Sequence, residues 1–573
     1  MHLASTIIAI KLKKVLYGAV LVFVIIIARL FYLQIYRAEY FFVRSQKNYT
    51  RYEQVESLRG NIIDAQSRLL ATNRPIACLF WKGTGNRAMT AEHHLLLQKV
   101  GNIVQKDFAA DDIYNKIVVG ERKKQKVLLA SDLTFIQLSQ LLEQFSLHPN
   151  LVIDTQFKRF YPYKKSASHI IGYLGNVRMI PDGKQGLEKI FNMDLSGKQG
   201  ATQSVVNSVG QSLSYIELEK AFSGGTIQTT IDIEIQSLCE KAFSEYYTGS
   251  FIVLDPSDGS VVSLLSRPNF DPNIFLEPIS MITWQSLQEH NSFLNRALDA
   301  SYPSGSIFKL ITISAALEHA IISAHDIWDC KGYTVFGKRK YWCGRKAGHG
   351  EISMIQAVAE SCNTLFFEIG KNIDIDILAD YAHAFGLGEK TNTLFPEKSG
   401  LVPSRQWKLD FKRERWWPGE TLSVAIGQSF LLVTPMQIAR MIGSIFTGYL
   451  VSPRFLTNEP IVTVPLMIKP ETIDFLKKSM KMVVRHGTGK VVRTIQDMKI
   501  YAKTSTAQTS DLKKRALDPK YLEHGWFVCY FQYKEHKPLV MVILVERVGA
   551  AHVAATIAKN FLIDYKKYMD CST

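Results

Sequence analysis

The sequence predicts an α+β protein with one N-terminal transmembrane helix, a β-rich region after it, and a larger C-terminal domain in which helices pack on a sheet. An uncharged apolar run lies near the N-terminus, and residues 40–225 then mix short β-like runs with polar stretches. After the Gly224-Gly225 pair, strands such as "SFIVLDP" alternate with helical patterns such as "IFKLITISAALEHA". At 573 residues the chain is long enough for two or three domains.

The predicted anchor extends from Val15 to Tyr36, which is close to the ~20 residues that a helix needs to cross a bilayer. Three lysines lie just before it, so the positive-inside rule predicts a cytoplasmic tail over residues 1–14. The remaining chain is then expected outside the cytoplasm. A cleaved signal peptide is the alternative, but no small-x-small cleavage site follows the apolar run.

The charge balance is strongly basic, with 68 Lys and Arg against 52 Asp and Glu, a formal net charge of +16. This excess favours an anionic neighbour, such as an acidic membrane surface or polymer. The basic residues are spread along the chain, and no zinc-finger, homeodomain or RNP-like segment is present. We therefore predict no nucleic-acid partner.

Candidate catalytic residues begin in "SYPSGSIFKL", where Pro303 and Gly305 precede a helical pattern. Ser306 and Lys309 are three residues apart, so both side chains would share one face of that helix. A serine hydroxyl is a poor nucleophile unless a base takes its proton, and a buried lysine amine with a lowered pKa is such a base. The pattern is common by itself, since Ser510 to Lys513 repeats it in a charged, loop-like stretch.

Two further motifs follow in order. "ESCNTLFF" places Ser361 and Asn363 two residues apart in a helical or turn context, where a hydroxyl could relay a proton and a carboxamide could hold a peptide. "IYAKTSTA" then places Lys503 and Thr504 on a strand whose backbone could align an extended substrate. Ser-x-x-Lys, Ser-x-Asn and Lys-Thr-x in this order are typical of penicillin-recognising serine enzymes.

Over nearly its whole length the sequence resembles a class B penicillin-binding protein, and the elongation type (penicillin-binding protein 2) more than the division type. The resemblance is carried by these motifs together with several longer segments. Those segments are "LRGNIIDAQSRLLATN" (58–73), "GLEKIFNMDLSGKQG" (186–200), "IVLDPSDGSVVSLLSRPNFDPN" (252–273) and "WWPGETLSVAIGQSFLLVTPMQIA" (416–439). It implies an elongated non-catalytic pedestal or dimerisation domain over residues 37–225 and a transpeptidase domain over 226–573, with an antiparallel sheet flanked by helices.

The resemblance also implies a mechanism. Ser306 would attack the penultimate D-alanine of a peptidoglycan stem peptide, and Lys309 would act as the general base. Ser361 would return the proton to the leaving amine, with Lys503 tuning both groups. The remaining residues would hold the donor peptide: Asn363 would position it, Thr504 would bind its carboxylate, and backbone N–H groups of Ser306 and Thr506 would form the oxyanion hole. β-Lactams would be trapped at Ser306.

Three positions that are commonly Pro or Gly in this family are serine here: Ser304, Ser429 and Ser505. Because alternate residues of a strand share a side, Ser505 should lean towards the cleft with Lys503, where glycine would let the substrate backbone approach. One interpretation is a slower enzyme or one with a changed β-lactam profile, and another is a non-catalytic scaffold. We favour an active enzyme.

Three cysteines and a histidine form the pattern C-x12-C-x5-H-x12-C, which suits a tetrahedral zinc site. The four candidate ligands are Cys330, Cys343, His349 and Cys362. A zinc there would be structural and would brace the helix carrying Cys362. The resemblance supports this, because some elongation-type relatives carry a zinc at this place. A Cys330–Cys343 disulfide and unpaired thiols are the alternatives, and Asp329 could replace a ligand.

His169 and His290 have no partner at ligand spacing and are expected at the surface or in loops.

By resemblance, the expected location is the inner membrane, with the N-terminus in the cytoplasm and the bulk of the chain in the periplasm. The expected partners are a membrane glycosyltransferase of the shape, elongation, division and sporulation family and cell-shape scaffold proteins. The alternative function is a scaffold that regulates such a glycosyltransferase. A β-lactam sensor would need a cytoplasmic signalling domain, and a β-lactamase would need a deacylating base that the sequence does not reveal.

Overall fold

The structure, a computed structural model, describes residues 2–55, 57–177, 180–206, 212–508 and 518–572. The described α-helices are α1 (His2–Phe31), α2 (Ala38–Tyr49), α3 (Ala91–Val104), α4 (Asp111–Lys123), α5 (Phe135–Phe145), α6 (Ser168–Ile171), α7 (Gly186–Ile190), α8 (Asn192–Ser196), α9 (Ile233–Ala242), α10 (Met281–Glu289), α11 (Lys309–Glu318), α12 (Met354–Ala359), α13 (Asn363–Asn372), α14 (Ile375–Ala384), α15 (Arg405–Lys412), α16 (Pro418–Ala425), α17 (Pro435–Thr447), α18 (Pro470–Arg485) and α19 (His552–Ser572).

The described strands are β1 (Thr50–Val55), β2 (Ile62–Ile63), β3 (Leu69–Lys82), β4 (Lys126–Ala130), β5 (Leu151–Phe160), β6 (Leu174–Val177), β7 (Ile180–Gly183), β8 (Gly200–Val206), β9 (Ser212–Glu219), β10 (Ile227–Gln228), β11 (Gly249–Leu254), β12 (Val261–Arg267), β13 (Ile327–Cys330), β14 (Tyr333–Phe336), β15 (Arg339–Trp342), β16 (Gly350–Ser353), β17 (Tyr449–Val451), β18 (Thr463–Pro465), β19 (Met498–Ala507), β20 (His524–Tyr533) and β21 (Leu539–Val545).

The N-terminal helical stretch contains the residues of the predicted anchor and begins earlier in the chain. Helix α1 continues through a π-helical turn at Tyr32–Tyr36. Among the described residues, Ile7–Tyr36 is the one helical stretch that is long and apolar enough to cross a membrane, with a mean hydropathy of 2.4 in its most apolar window. None of that window is buried against the rest of the chain, so its apolar side chains are free to contact lipid.

The described chain forms two compact units. The first comprises the described parts of 1–58, 75–158 and 196–224. It contains the antiparallel sheet β1-β8-β9 and a core in which Leu79 and Trp81 of β3 pack with residues of α3, α4 and α5. The region predicted to be β-rich therefore also contains helices. Helix α5 begins at a capping box formed by Thr134 and Gln137, a local signal that can be read in the sequence.

The second unit comprises residues 59–74 and 159–195 together with the described parts of 225–573. Its main sheet is antiparallel, in the order β12-β11-β21-β20-β19. Every residue of β11 and β21 is buried, and successive residues of β11 alternate between two cores. Ile252 and Leu254 belong to one core, whereas Phe251 and Val253 pack with α9 and α19 in the other. This confirms the predicted antiparallel sheet flanked by helices.

A buried ion network in the same unit surrounds Glu188, whose side chain is completely buried. Its carboxylate accepts a hydrogen bond from Arg59 Nε at 2.7 Å and from Arg159 Nε at 2.8 Å. Tyr161 donates its hydroxyl to the same carboxylate at 3.1 Å, and Asn192 accepts from the Arg59 guanidinium. The network thus joins segments that are more than 90 residues apart in sequence, since Arg159 also donates to the carbonyl oxygen of Gly60.

The expectation for His169 is wrong. This histidine is 4% exposed, and its Nε2 lies 2.8 Å from the carbonyl oxygen of Ser292. Burial lowers the pKa of His169 to about 4, so the ring is neutral at physiological pH. A single histidine without a spaced partner looks the same in the sequence whether it is buried or exposed. His290 lies at the end of α10 and is exposed, as expected.

Candidate active site

The backbone before Ser306 is held in place by a glycine. Gly305 has a left-handed φ of 52° and donates its N–H to the carbonyl oxygen of Gly427 at 2.9 Å. A 3-10 turn at Gly305–Ile307 then leads directly into α11. Ser306 is half-buried at this turn, while Lys309, the first residue of α11, is completely buried. The predicted helix start is therefore found, with a tighter first turn.

Ser361 and Asn363 lie at a break between two helices. Helix α12 ends at Ala359, and α13 begins at Asn363. Ser361 has a left-handed φ of 56°, which is rare for a residue other than glycine and is common at functional sites. Cys362 is the extended N-cap residue of α13. The sequence analysis placed Cys362 within a helix, and this is wrong. The chain turns sharply at Ser361, so Cys362 precedes the first helical residue.

The three motifs converge on the Ser361 hydroxyl. Its Oγ lies 2.9 Å from Ser306 Oγ, 3.1 Å from Lys309 Nζ and 3.4 Å from Lys503 Nζ. Lys309 Nζ also contacts the Ser361 carbonyl oxygen at 2.8 Å and Asn363 Oδ1 at 2.6 Å. Within the described residues, Lys309 makes no direct hydrogen bond to Ser306. The predicted nucleophile and base are therefore connected through Ser361.

Both lysines are buried without a carboxylate partner among the described residues. Burial lowers the pKa of Lys309 to about 8. Burial lowers the pKa of Lys503 well below its usual value, and the positive charge of Lys309 lowers it further. Each amine is thereby moved towards the neutral form, which has a lone pair that can accept a proton.

Strand β19 supplies one wall of the cleft. It lies at the edge of the main sheet, and Lys503 Nζ also donates to the carbonyl oxygen of Thr504 at 3.0 Å. Thr504, Ser505 and Thr506 line a cleft of about 690 Å³ together with Ser306 and Ser361. Thr506 is exposed, and its Oγ1 accepts the backbone N–H of Ala551. An edge strand in this position can pair with an extended peptide.

The Ser505 side chain packs against the turn that carries the nucleophile. It is 2% exposed, and its Oγ has no hydrogen-bond partner among the described residues. A Cβ built on Gly305 would overlap this oxygen, so Ser505 and Gly305 fit together only because residue 305 has no side chain. Ser304 Oγ is likewise buried without a partner, and Ser429 has a left-handed φ of 69°, which explains why glycine suits that position.

Thr488 is a cleft residue that the sequence analysis missed. Its Oγ1 forms a short hydrogen bond with Thr504 Oγ1, and it lines the cleft. The signal was present in "HGTGK", because glycines flank it on both sides. A Cβ on Gly487 would collide with the carbonyl oxygen of Ala359, so the glycine allows a close approach to the end of α12. The second Ser-x-x-Lys, Ser510 to Lys513, lies outside the described residues.

The four predicted metal ligands form one cluster, with all four ligand atoms within 4.8 Å of one another. His349 Nδ1 lies 3.4 Å from Cys330 Sγ and 3.6 Å from Cys343 Sγ, and Cys343 Sγ lies 4.0 Å from Cys362 Sγ. The hydrogen bond between these two thiols lowers the pKa of Cys343, and the backbone N–H groups of Arg345 and Asn363 lower it further. Asp329 lies outside the cluster and pairs with Lys331.

Comparison with known proteins shows the family of the chain. The family model for the penicillin binding protein transpeptidase domain matches residues 249–562, which is more than half of the chain, and the model for the penicillin-binding protein dimerisation domain matches residues 54–229. The peptidoglycan D,D-transpeptidase MrdA of Acinetobacter baumannii is 26% identical over 96% of this chain and 87% of its own length. The protein of the same name from Escherichia coli K12 is 26% identical over 95% of this chain and 92% of its own length.

Solved structures give the same result. The penicillin-binding protein PBP2 of Helicobacter pylori, in a complex with MreC, superposes with a TM-score of 0.76 at 26% identity, covering 91% of this chain and 99% of that one. A chain from a peptidoglycan synthase complex that coordinates polymerization and crosslinking superposes with a TM-score of 0.75 at 27% identity, covering 97% of this chain and 98% of that one. The chain belongs to the penicillin-binding protein transpeptidases.

Proposed function

We propose that this protein is a membrane-anchored peptidoglycan D,D-transpeptidase of the elongation type, which cross-links stem peptides through an acyl-enzyme at Ser306. The observation that carries the proposal is the chain of contacts from Ser306 through Ser361 to Lys309 and Lys503. The names of the curated relatives and the position of these groups in an open cleft support it.

The contacts of Lys309 support a route by which the proton of Ser306 would leave. A neutral amine has two N–H donors and one lone pair. The two N–H groups of neutral Lys309 donate to the carbonyl oxygen of Ser361 and to Asn363 Oδ1. The lone pair of the amine is then left to accept the hydroxyl hydrogen of Ser361, whose Oγ lies 3.1 Å away. Ser361 donates to Ser306 Oγ at 2.9 Å in the structure, and once its hydrogen has turned towards Lys309, Ser361 Oγ can accept the hydrogen of Ser306 instead. Ser306 is activated when its proton passes to Ser361 as the proton of Ser361 passes to Lys309.

The relay runs in the opposite direction when the donor peptide is cleaved. After the attack, Lys309 is protonated and donates to all three oxygens around it, so the Ser361 hydroxyl points its hydrogen towards the cleft. That hydrogen goes to the nitrogen of the terminal D-alanine as the peptide C–N bond breaks. The amine of a second stem peptide then attacks the ester at Ser306, loses a proton to the same relay, and releases the cross-linked product. Lys503 would tune the relay through its contact with Ser361 Oγ at 3.4 Å.

The donor peptide would lie between β19 and α13. Thr504 would bind its terminal carboxylate, with its hydroxyl oriented by Thr488. Asn363 would hold the peptide from the opposite wall, and the backbone N–H groups of Ser306 and Thr506 would stabilise the oxyanion. Ser505 contributes to the cleft wall next to them. A β-lactam offers the same carboxylate and a strained amide carbonyl, and would acylate Ser306.

We also propose a structural zinc ion held by Cys330, Cys343, His349 and Cys362. Two sulfurs bound tetrahedrally at ~2.3 Å from zinc lie about 3.8 Å apart, close to the 4.0 Å between Cys343 Sγ and Cys362 Sγ. Thr364 Oγ1 lies 3.1 Å from both Cys330 Sγ and Cys362 Sγ, and its one hydrogen can orient either of the two thiolates. A Cys330–Cys343 disulfide would leave the other two ligands unused. A zinc here would fix the N-terminus of α13, and thereby Asn363.

Metal analysis of the full-length protein in detergent tests this proposal. We expect one zinc per chain, lost in Cys343→Ala and retained in Cys239→Ala, a buried cysteine outside the cluster. A zinc-free protein whose mass shows the loss of two hydrogens would indicate the disulfide instead.

We further propose that the chain is divided at residues 14, 36 and 225 into tail, anchor, pedestal and transpeptidase domain, and that it lies in the inner membrane with its bulk in the periplasm. One solved relative is a PBP2 in complex with MreC, and another is a chain of a peptidoglycan synthase complex. By analogy, this chain would bind a membrane glycosyltransferase and a cell-shape scaffold protein.

The orientation of the chain in the membrane is testable because Cys571 is exposed. A membrane-impermeant maleimide should label it in intact spheroplasts, and Cys571→Ser should abolish the label.

Intact-mass analysis of the full-length protein with and without benzylpenicillin tests the catalytic proposal. We expect one adduct per chain, absent in Ser306→Ala. A folded protein that forms no adduct would point to the scaffold function, with Ser505 as the first residue to examine.

A further inference from the structure

The segment from Lys331 to Lys346 concentrates positive charge next to the cleft. It contains no acidic residue and six basic ones, which are Lys331, Lys338, Arg339, Lys340, Arg345 and Lys346. Among the described residues, Lys331 pairs weakly with Asp329, and the other five form no ion pair with a carboxylate. All six are exposed. We call this segment the basic hairpin, because β14 and β15 form its two strands.

One face of the basic hairpin is an exposed aromatic surface. The register pairs Tyr333 with Trp342 and Val335 with Lys340, so these four side chains share a face. Tyr333 is 40% exposed and Trp342 is 50% exposed, and their ring centroids are 5.3 Å apart. Lys340 Nζ lies 4.4 Å from the Tyr333 ring centroid. Exposed aromatic side chains grouped in this way usually mark a binding surface.

The opposite face is firmly attached to the body of the second unit. Thr334 Oγ1 accepts a hydrogen bond from Lys371 Nζ of α13 at 2.7 Å. The Tyr341 ring packs on Phe367 of α13 at a centroid distance of 5.3 Å. Gly337, with a φ of 57°, occupies the first position of a two-residue loop, where a type II′ turn requires it. Because α13 begins at Asn363, the hairpin is fixed relative to the active site.

The basic hairpin is also continuous with the cleft. Gly344 and Arg345, which follow Trp342 by two and three residues, line the same cleft as Ser306. A polymer whose peptide enters the cleft past Arg345 would therefore continue over the aromatic face of the hairpin.

We propose that the basic hairpin binds the glycan strand of the peptidoglycan substrate next to the stem peptide that enters the cleft. The apolar C–H faces of the sugar rings would stack on Tyr333 and Trp342. The carboxylates of the neighbouring stem peptides would pair with Lys338, Arg339 and Lys340. Charge complementarity selects this occupant, since uncross-linked peptidoglycan combines pyranose rings with repeated carboxylates. The inference rests on the proposed function, because a transpeptidase must hold this polymer at its cleft.

Charge reversal in the full-length protein tests the inference. The variant K338E/R339E/K340E is compared with K390E/K481E/K499E, which changes the same charge at exposed lysines outside the hairpin and the cleft lining. The probe is soluble, uncross-linked peptidoglycan strands, with binding measured by fluorescence at several salt concentrations. We expect the hairpin variant to lose at least tenfold in affinity and much of the salt dependence, whereas the control should change by less than twofold.

A second pair of variants tests the aromatic face and guards against misfolding. Trp342→Ala should weaken strand binding by about three- to tenfold, and Phe411→Ala, an exposed aromatic on α15, should leave it unchanged. Unchanged strand affinity in both hairpin variants, or a loss seen only with vesicles of anionic phospholipid, would overturn the inference.

Acylation by benzylpenicillin separates this inference from the proposed function. The substituted residues Lys338, Arg339, Lys340 and Trp342 do not line the cleft, so the hairpin variants should acylate at the rate of the unaltered protein. Failure of the unaltered protein to acylate would refute the proposed function. Normal acylation with normal strand binding in the hairpin variants would refute the hairpin's role alone.

Discussion

Two groups of buried cations lie in the same compact unit, and their surroundings differ in one respect. Arg59 and Arg159 flank the carboxylate of Glu188, with nitrogen-to-oxygen distances of 2.7 and 2.8 Å. Lys309 and Lys503 face hydroxyl, carbonyl and amide oxygens, and no carboxylate among the described residues pairs with them. The first group is matched by an anion and connects distant segments. The second is pushed towards neutrality.

The difference shows that the partner of a buried cation decides whether the group is structural or can accept a proton. A buried cation with a matched anion is held in place, because removing either partner leaves the other without compensation. A buried lysine without an anion has a lowered pKa and can accept a proton at neutral pH. The absence of a carboxylate beside Lys309 is therefore as important for the proposed mechanism as the hydroxyl groups that are present.

The largest expected effect follows from removing the uncompensated amine. Lys309→Ala should slow acylation by benzylpenicillin by roughly 10²- to 10⁴-fold, since the relay from Ser306 loses its proton acceptor. The rate is measured by intact mass over time. Lys408→Met is the matched control, because Lys408 is also buried but is paired with Glu420 at 2.6 Å. Acylation in its folded fraction should change by less than threefold, and a drop equal to that of Lys309→Ala would undermine the comparison.

The next effect is on stability, and it has opposite signs in the two groups. Glu188→Gln leaves two buried guanidinium groups without an anion and should destabilise the protein by about 3 to 5 kcal/mol. Lys503→Met removes a buried amine that has no anionic partner among the described residues, and it should raise the thermal midpoint while slowing acylation less than Lys309→Ala does. Thermal unfolding followed by circular dichroism gives both values. A stabilised Glu188→Gln or a destabilised Lys503→Met would contradict the account.

The smallest expected effect concerns Ser505, whose buried hydroxyl has no partner. An unsatisfied buried hydroxyl costs about 1 to 3 kcal/mol, so Ser505→Ala should raise the thermal midpoint and change acylation by less than about threefold. Gly305→Ala is the contrasting variant, because its Cβ would overlap Ser505 Oγ and its φ is left-handed. It should lose most activity. A tenfold loss in Ser505→Ala would show that the hydroxyl contacts the substrate.

Much of the site could be predicted because its residues belong to short motifs with fixed local geometry. Ser306, Ser361 and Lys503 meet at one hydroxyl, as their motifs imply. The fold class also follows from local patterns, since buried strands such as "LVMVILV" appear as continuous apolar runs. The order of the strands in the sheet did not follow, because pairing between β11 and β21 joins residues almost 300 positions apart.

The features that were missed depend on long-range contacts. The Arg59–Glu188–Arg159 network joins three segments, none of which shows in isolation that it is buried. The left-handed conformation of Ser361 and the cap position of Cys362 arise from a chain reversal that helical periodicity does not reveal. The burial of His169 depends on its contact with Ser292, which is distant in sequence. The place of Thr488 in the cleft depends on its contact with Thr504.

The pH dependence of acylation tests the central claim most directly. Burial lowers the pKa of Lys309 to about 8, so the fraction of neutral amine increases as pH rises towards that value. The second-order rate constant with benzylpenicillin is measured from pH 6 to 9 for the full-length protein and for Lys309→Ala, with circular dichroism confirming the fold at each pH. We predict a rise of about tenfold per pH unit that levels off near pH 8 and is absent in the variant. A rate that is flat or falls over this range would contradict the account.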